Sequence, residues 1–165
     1  MRRLHRRGRG QALVEFALIA PLFILILLAV FDLGRGVFMY TSITNAAREA
    51  ARLAIVNQDV TTIRDRLVGQ SAVAETTNGD GSDIKIEFFR ADANGNPNTS
   101  QPCPTPVDIG CLARVTYATT FEPITPLVKQ ILFPSGVDLE AVTVLPVEFT
   151  CPNAALSAAQ CGKQP

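Results

Sequence analysis

Two groups of residues in this chain could do chemistry by type and spacing: a glycine and a glutamate near the N-terminus, and four cysteines in the second half. Glu15 stands five residues after Gly10 in Gly10-Gln-Ala-Leu-Val-Glu-Phe16, and the residues beyond it are apolar almost without break to Phe31. A carboxylate inside a lipid-compatible helix costs up to about 2.5–3.5 kcal/mol at the bilayer centre and less near the helix end. Hydrolysis of the Gly10–Gln11 bond would create a compensating charge, an α-amine on Gln11 with an ordinary pKa of about 8. The register is selective, because a cut after Gly8 would make Leu13 the fifth residue and leave no charge there. In an assembly, one subunit's Glu15 could pair with the amine of a staggered neighbour, and stranding either partner would cost about 3–5 kcal/mol. Glu15 could instead snorkel to the membrane surface, which would make the segment an ordinary signal anchor.

The cysteines are Cys103, Cys111, Cys151 and Cys161, an even number with seven and nine residues between successive members of each local pair. Those spacings do not fit zinc ligation, which favours short Cys-x-Cys separations, so disulfides Cys103–Cys111 and Cys151–Cys161 are the preferred reading, with the other two connectivities left open. The one histidine, His5, lies in the basic N-terminal stretch, so no Ser/His/Asp or Cys/His constellation can be assembled with the body of the chain. The acids there show no general acid/base pairing. No catalytic residue, metal site or cofactor is expected. Asp92-Ala-Asn-Gly-Asn96 resembles a calcium loop, but its glycine is fourth and Cys103 holds the twelfth place, so it reads as a turn. Asn78 to Asp83 also reads as a turn. Asn98-Thr-Ser100 fits an N-glycosylation triplet of a kind common by chance.

These residues need elements to position them. Arg2, Arg3, Arg6, Arg7 and Arg9 put five of fifteen basic residues before Gly10, while from Gln11 onward ten basic residues face fifteen acidic ones. An acidic body argues against a nucleic-acid surface, and a basic flank before an apolar run predicts a cytoplasmic N-terminus. Gln11 to Phe31 gives about 31 Å of helix at 1.5 Å per residue, enough for a bilayer core of about 30 Å. A cleaved signal peptide shares this pattern, but Val30-Phe31-Asp32-Leu33-Gly34 is a poor cleavage site, and an uncleaved span is preferred.

Beyond the span the helical pattern persists. Asp32 and Arg35 sit three apart; Ile43, Ala46, Ala47, Ala50, Leu53 and Ala54 share a face; Glu49 can pair with Arg52. One helix is therefore predicted from Gln11 to Val56, with Pro21 bending it. Asp59 is the expected N-cap of a second helix from Val60 to Ala74 with Ile63, Leu67, Val68 and Ala72 buried. Strands are predicted at Ile84–Phe88, at Cys111–Phe121 with Leu112, Val115 and Tyr117 as its apolar members, and at Val137–Phe149, interrupted or edged at Pro146. Residues 91–106 read as loop, and 127–133 as a short helix. The fold class is α+β: a long N-terminal helix bearing a small antiparallel sheet. The segments are a leader at 1–10, a span at 11–33, a helix continuation at 34–56 and an extracytoplasmic head at 57–165.

The stretches Glu15-Phe-Ala-Leu-Ile-Ala-Pro-Leu-Phe23, Asp32-Leu-Gly-Arg35 and Asn45-Ala-Ala-Arg-Glu-Ala-Ala-Arg52, behind the Gly10…Glu15 motif, resemble the TadE-like pseudopilin family of the tight-adherence (Flp pilus) machinery. The resemblance covers roughly residues 8–56. It implies a pilin-like fold, cleavage by a prepilin peptidase between Gly10 and Gln11, Glu15 as the assembly carboxylate, and a minor pilin or assembly role rather than an enzymatic one. Implied partners are the peptidase, other pilins or pseudopilins, and the assembly platform. The implied location is the bacterial inner membrane, with most of the chain outside, and incorporation into a pilus is compatible with it. The competing expectation is an unprocessed membrane-anchored binding or adhesion protein whose head carries the function.

Overall fold

A computed structural model describes residues 8–72, 83–131 and 133–150 of the 165-residue chain. Helix α1 is continuous over Gly8–Ala54, 47 residues with Pro21 inside, or about 70 Å at the standard rise. It starts three residues before the expected position and ends two sooner, where Ile55 and Val56 form a turn and the Asn57 N–H returns to the Leu53 carbonyl at 2.8 Å. By internal packing the chain forms two units, one of residues up to Val37 with Glu122–Gly136, the other of Phe38–Phe121 with Val137 onward.

In the second unit, the α1 stretch from Ile43 to Ala54 supplies one wall of the core. Ile43, Ala46, Ala47, Ala50, Ala51 and Ala54 are all fully buried. They form one buried cluster with Ile63 and Leu67 and with Ile84, Cys111, Ala113, Val115, Tyr117 and Ala141. Helix α2 spans Val60–Gln70 and begins at Asp59, whose carboxylate accepts from the Thr61 and Thr62 N–H groups. It is shorter than expected: Ser71 adopts extended backbone and its N–H closes onto the Leu67 and Val68 carbonyls, just after Gly69, a poor helix former. Ile63 and Leu67, one turn apart, are buried, whereas Val68 and Ala72 are exposed, contrary to expectation. Val68 sits about 100° round the helix from Leu67 and so misses the narrow contact stripe.

Strands β1 (Ile84–Ala91), β2 (Pro97–Pro102), β3 (Cys111–Phe121) and β4 (Val137–Pro146) form one antiparallel sheet in the order β2-β1-β3-β4. The central β3 buries Cys111, Ala113, Val115 and Tyr117, each at most 1 % exposed. Leu112 belongs to the opposite face and is only half-buried. Tyr117 faces Ile84 on one side and Ala141 on the other, the small alanine leaving room for the ring. The Ser71 hydroxyl donates to its phenol oxygen at 3.4 Å.

Strand β2 corrects the reading of residues 91–106 as loop. It is an edge strand tied to β1 by backbone pairs around Phe89 and Ala91 with an irregular register between them, the position where prolines are tolerated in a sheet. The β1–β2 hairpin closes through Asp92, whose Oδ1 accepts from the Asn94 and Asn96 N–H groups at 2.8 Å, while Gly95 takes φ +82°. The expected calcium-like motif is therefore a side-chain-stapled turn. The last strand stops at Pro146, short of Phe149, and the exiting chain caps α1: the Glu148 and Phe149 N–H groups both donate to the Ile55 carbonyl at 3.1 Å.

Candidate functional site

The site to be built is the surface of α1 itself. Gly10, Gln11 and Glu15 all lie in its first two turns and are solvent-exposed. Gln11 and Glu15 are four residues apart, so they share one face about 6 Å apart along the axis. Around them Leu13, Val14, Phe16, Leu18 and Ile19 are each at least 58 % exposed. Consecutive exposed apolar residues sample every azimuth of a helix, so no single core-facing stripe explains them. Among the described residues one helix is long and apolar enough to cross a membrane, and its apolar stretch is not buried. Glu15 makes no hydrogen bond or ion pair among the described residues.

A second carboxylate on the same helix behaves differently. Asp32 is 5 % exposed, and its oxygens accept from two successive backbone N–H groups, Ile124 at 3.0 Å and Thr125 at 2.9 Å. The Arg35 guanidinium stands 3.5 Å away. Those donors precede helix α3 (Pro126–Ile131), which starts with proline at its first turn as the fixed φ of that ring favours. The observed α3 is shifted slightly toward the N-terminus of the expected 127–133 span. Sequence reasoning saw Asp32 only as a periodic partner of Arg35. The available signals were an acid closing an apolar run and a Thr-Pro pair 93 residues later, and nothing in the sequence connects the two.

In the sheet unit, Cys103 and Cys111 are joined by a disulfide that ties the end of β2 to the start of β3. The Cys103 N–H also donates to the Phe88 carbonyl at 2.9 Å, so the bridge straddles β1. Cys151 and Cys161 lie outside the described residues, as do His5 and most of the 78–83 turn. Among the described residues no cluster of three or more His, Cys, Asp or Glu could hold a metal ion. Glu49 pairs with Arg52 at 3.9 Å and with Arg66 at 3.7 Å, exposed contacts worth about 0–1 kcal/mol each.

The chain's chemistry-bearing residues therefore divide between a sheet held by packing and a disulfide, and a helix on which Asp32 and Glu49 have partners while Glu15 has none among the described residues. No curated protein and no solved structure matches the chain. A family comparison does find a match, and it falls on the helix: residues 10–52, which carry Gly10, Glu15, Asp32 and the alanine face, match the model for TadE-like proteins.

Proposed function

We propose that this chain is a minor pseudopilin or assembly component of a tight-adherence type IV-like pilus or secretion system. It is anchored by one span with the basic N-terminus on the cytoplasmic side of the inner membrane. A prepilin peptidase cuts between Gly10 and Gln11, and the new α-amine answers the carboxylate of Glu15 on a staggered neighbouring subunit. The helix then packs among other pilins or on the assembly platform, and the cysteine-bearing sheet stays outside. The role is structural, with no catalytic residue assigned.

One observation carries this reading: the TadE-like match coincides with an exposed apolar helix on which Glu15, five residues after Gly10, has no partner among the described residues. Mass spectrometry of the mature N-terminus in cells with an active prepilin peptidase tests it. The expected product starts at Gln11, and an intact leader would favour the unprocessed anchored binding protein instead. Glu15→Ala is expected to insert in the membrane and still be cut, because the apolar run is lengthened and Gly10 is kept, yet to fail in assembly. Co-purification with partner pilins at the wild-type level would overturn the charge-pairing role.

A further inference from the structure

We propose that Glu122–Gly136 is a second membrane contact, a strap lying at the outer boundary of the bilayer against the spanning helix. The inference rests on the span assigned above, and not on cleavage or assembly. The segment reads Glu-Pro-Ile-Thr-Pro-Leu-Val-Lys-Gln-Ile-Leu-Phe-Pro-Ser-Gly, and its two charged residues, Glu122 and Lys129, bond each other at 2.6 Å. The rest is apolar or neutral, and Ile124 and Phe133 stand 70 % and 41 % exposed.

Its depth follows from what it touches. Pro21, Ile24, Leu25 and Leu28 of α1 together with Thr125 and Pro126 line an apolar groove of about 460 Å³. Leu28 lies about 6 Å and Pro21 about 16 Å along the axis from Asp32, toward the N-terminus. The groove therefore opens within the apolar run that ends at Phe31, level with side chains such as Ile24, 55 % exposed. Continuity with that lipid-facing surface commits the occupant to acyl chains. An interfacial element buries its apolar face about 5–10 Å into the headgroup–acyl boundary, which matches the upper part of the groove.

Non-helical backbone at such depth must have its polar groups satisfied by protein. Asp32 does this for Ile124 and Thr125. Further along, the Lys129 N–H donates to the Thr125 carbonyl, Phe133 to Val128, and Gly136 to Phe133.

The chain contains no tryptophan, so one introduced indole reports alone. Ile124→Trp, Phe133→Trp, Leu18→Trp in the span and Val142→Trp on β4 would each be made in the full chain and placed in phosphatidylcholine vesicles carrying acyl chains brominated at defined depths. The expected result is blue-shifted emission at positions 124 and 133 with the greatest loss to shallow bromine. Leu18→Trp should be quenched by deeper bromine and Val142→Trp by neither. Water-like, unquenched emission at 124 and 133 would overturn the strap while leaving a quenched Leu18→Trp, and so the span, intact. Blue-shifted emission that bromine fails to quench would also overturn it, in favour of a protein neighbour. Quenching at Val142→Trp equal to that at Ile124→Trp would deny the segment any special contact. An unquenched Leu18→Trp would remove the span and the strap together.

Discussion

Replacing Asp32 by alanine should release the strap while leaving the sheet in place. Two backbone N–H groups lose a charged acceptor at 3.0 and 2.9 Å, and hydrogen bonds to charged groups contribute about 1.5–3 kcal/mol each. Taking the lower value for both, because a detached strap can find water, the opening free energy falls by about 3 kcal/mol. At about 1.4 kcal/mol per decade, amide exchange at Ile124 and Thr125 should accelerate at least about a hundredfold. Asp32→Asn keeps one acceptor oxygen and should fall between. Arg35→Ala is the discriminating control. Its guanidinium is half exposed and 3.5 Å from the carboxylate, so its loss should change exchange by no more than about fivefold, the equivalent of a surface pair worth 0–1 kcal/mol.

Hydrogen exchange of the full chain in lipid nanodiscs reads all three variants, with the amides of Val115 and Tyr117 in the buried centre of β3 as internal reference. Unchanged exchange at Ile124 and Thr125 in Asp32→Ala would refute the reasoning. So would an equal effect from Arg35→Ala, since general electrostatics rather than two directed hydrogen bonds would then explain it.

Three further outcomes follow from the sheet unit. Cys103→Ala with Cys111→Ala opens a crosslink of sequence separation 8, and denaturant unfolding should show a loss of about 2.5 kcal/mol from restored chain entropy. Ala50→Leu puts three more carbons into a fully buried contact and should destabilise by about 1–3 kcal/mol in the same assay. Asp59→Ala removes the α2 cap and should cost about 1 kcal/mol near neutral pH. Hydrogen bonds from the Thr62 hydroxyl first, then from the Thr61 hydroxyl and the two backbone N–H groups, hold the Asp59 carboxyl below its ordinary value of 3.8. Its stabilising contribution is therefore complete above the unfolded-state value and is lost as pH falls through the lower folded one. The wild-type and Asp59→Ala stabilities should converge in acid, and a gap that stays constant down to the lowest pH would contradict the capping role.

What could be read from the sequence was what depends on local pattern. The helix through Ala54 announces itself by unbroken apolar and alanine-rich periodicity, and Asp59 by its place before Val60. The bounds of β3 are legible because β-branched and aromatic residues alternate between turn-forming neighbours, whereas which face is buried depends on packing: Cys111, Ala113, Val115 and Tyr117 are covered and Leu112 is only half-buried. The β2 strand is not legible in the sequence. Pro97, Asn98, Ser100 and Pro102 are loop formers by composition, and only the exposed backbone of β1 makes them a strand. The Asp32 contact was also missed, since it joins residues more than ninety positions apart and depends on a tertiary approach that no periodicity encodes.

Two of the three carboxylates of α1, the ones on its apolar N-terminal part, differ in what answers them. Glu15 and Asp32 are separated by about 25 Å along one helix, close to the thickness of a bilayer's apolar core. Burial of either needs donors, and the fold supplies them for one alone: Asp32 collects two N–H groups and a guanidinium from its own chain. Glu15, exposed among mostly apolar neighbours, collects none among the described residues. If its role were only to lie at the membrane surface, substitution by glutamine should leave every property of the protein unchanged, since both side chains can reach water. If it awaits the α-amine of another subunit, glutamine should fail as alanine does, because the amide restores shape and hydrogen bonding but not the opposite charge. Partner capture that tracks charge rather than size at position 15 would thus separate an anchor from an assembling subunit.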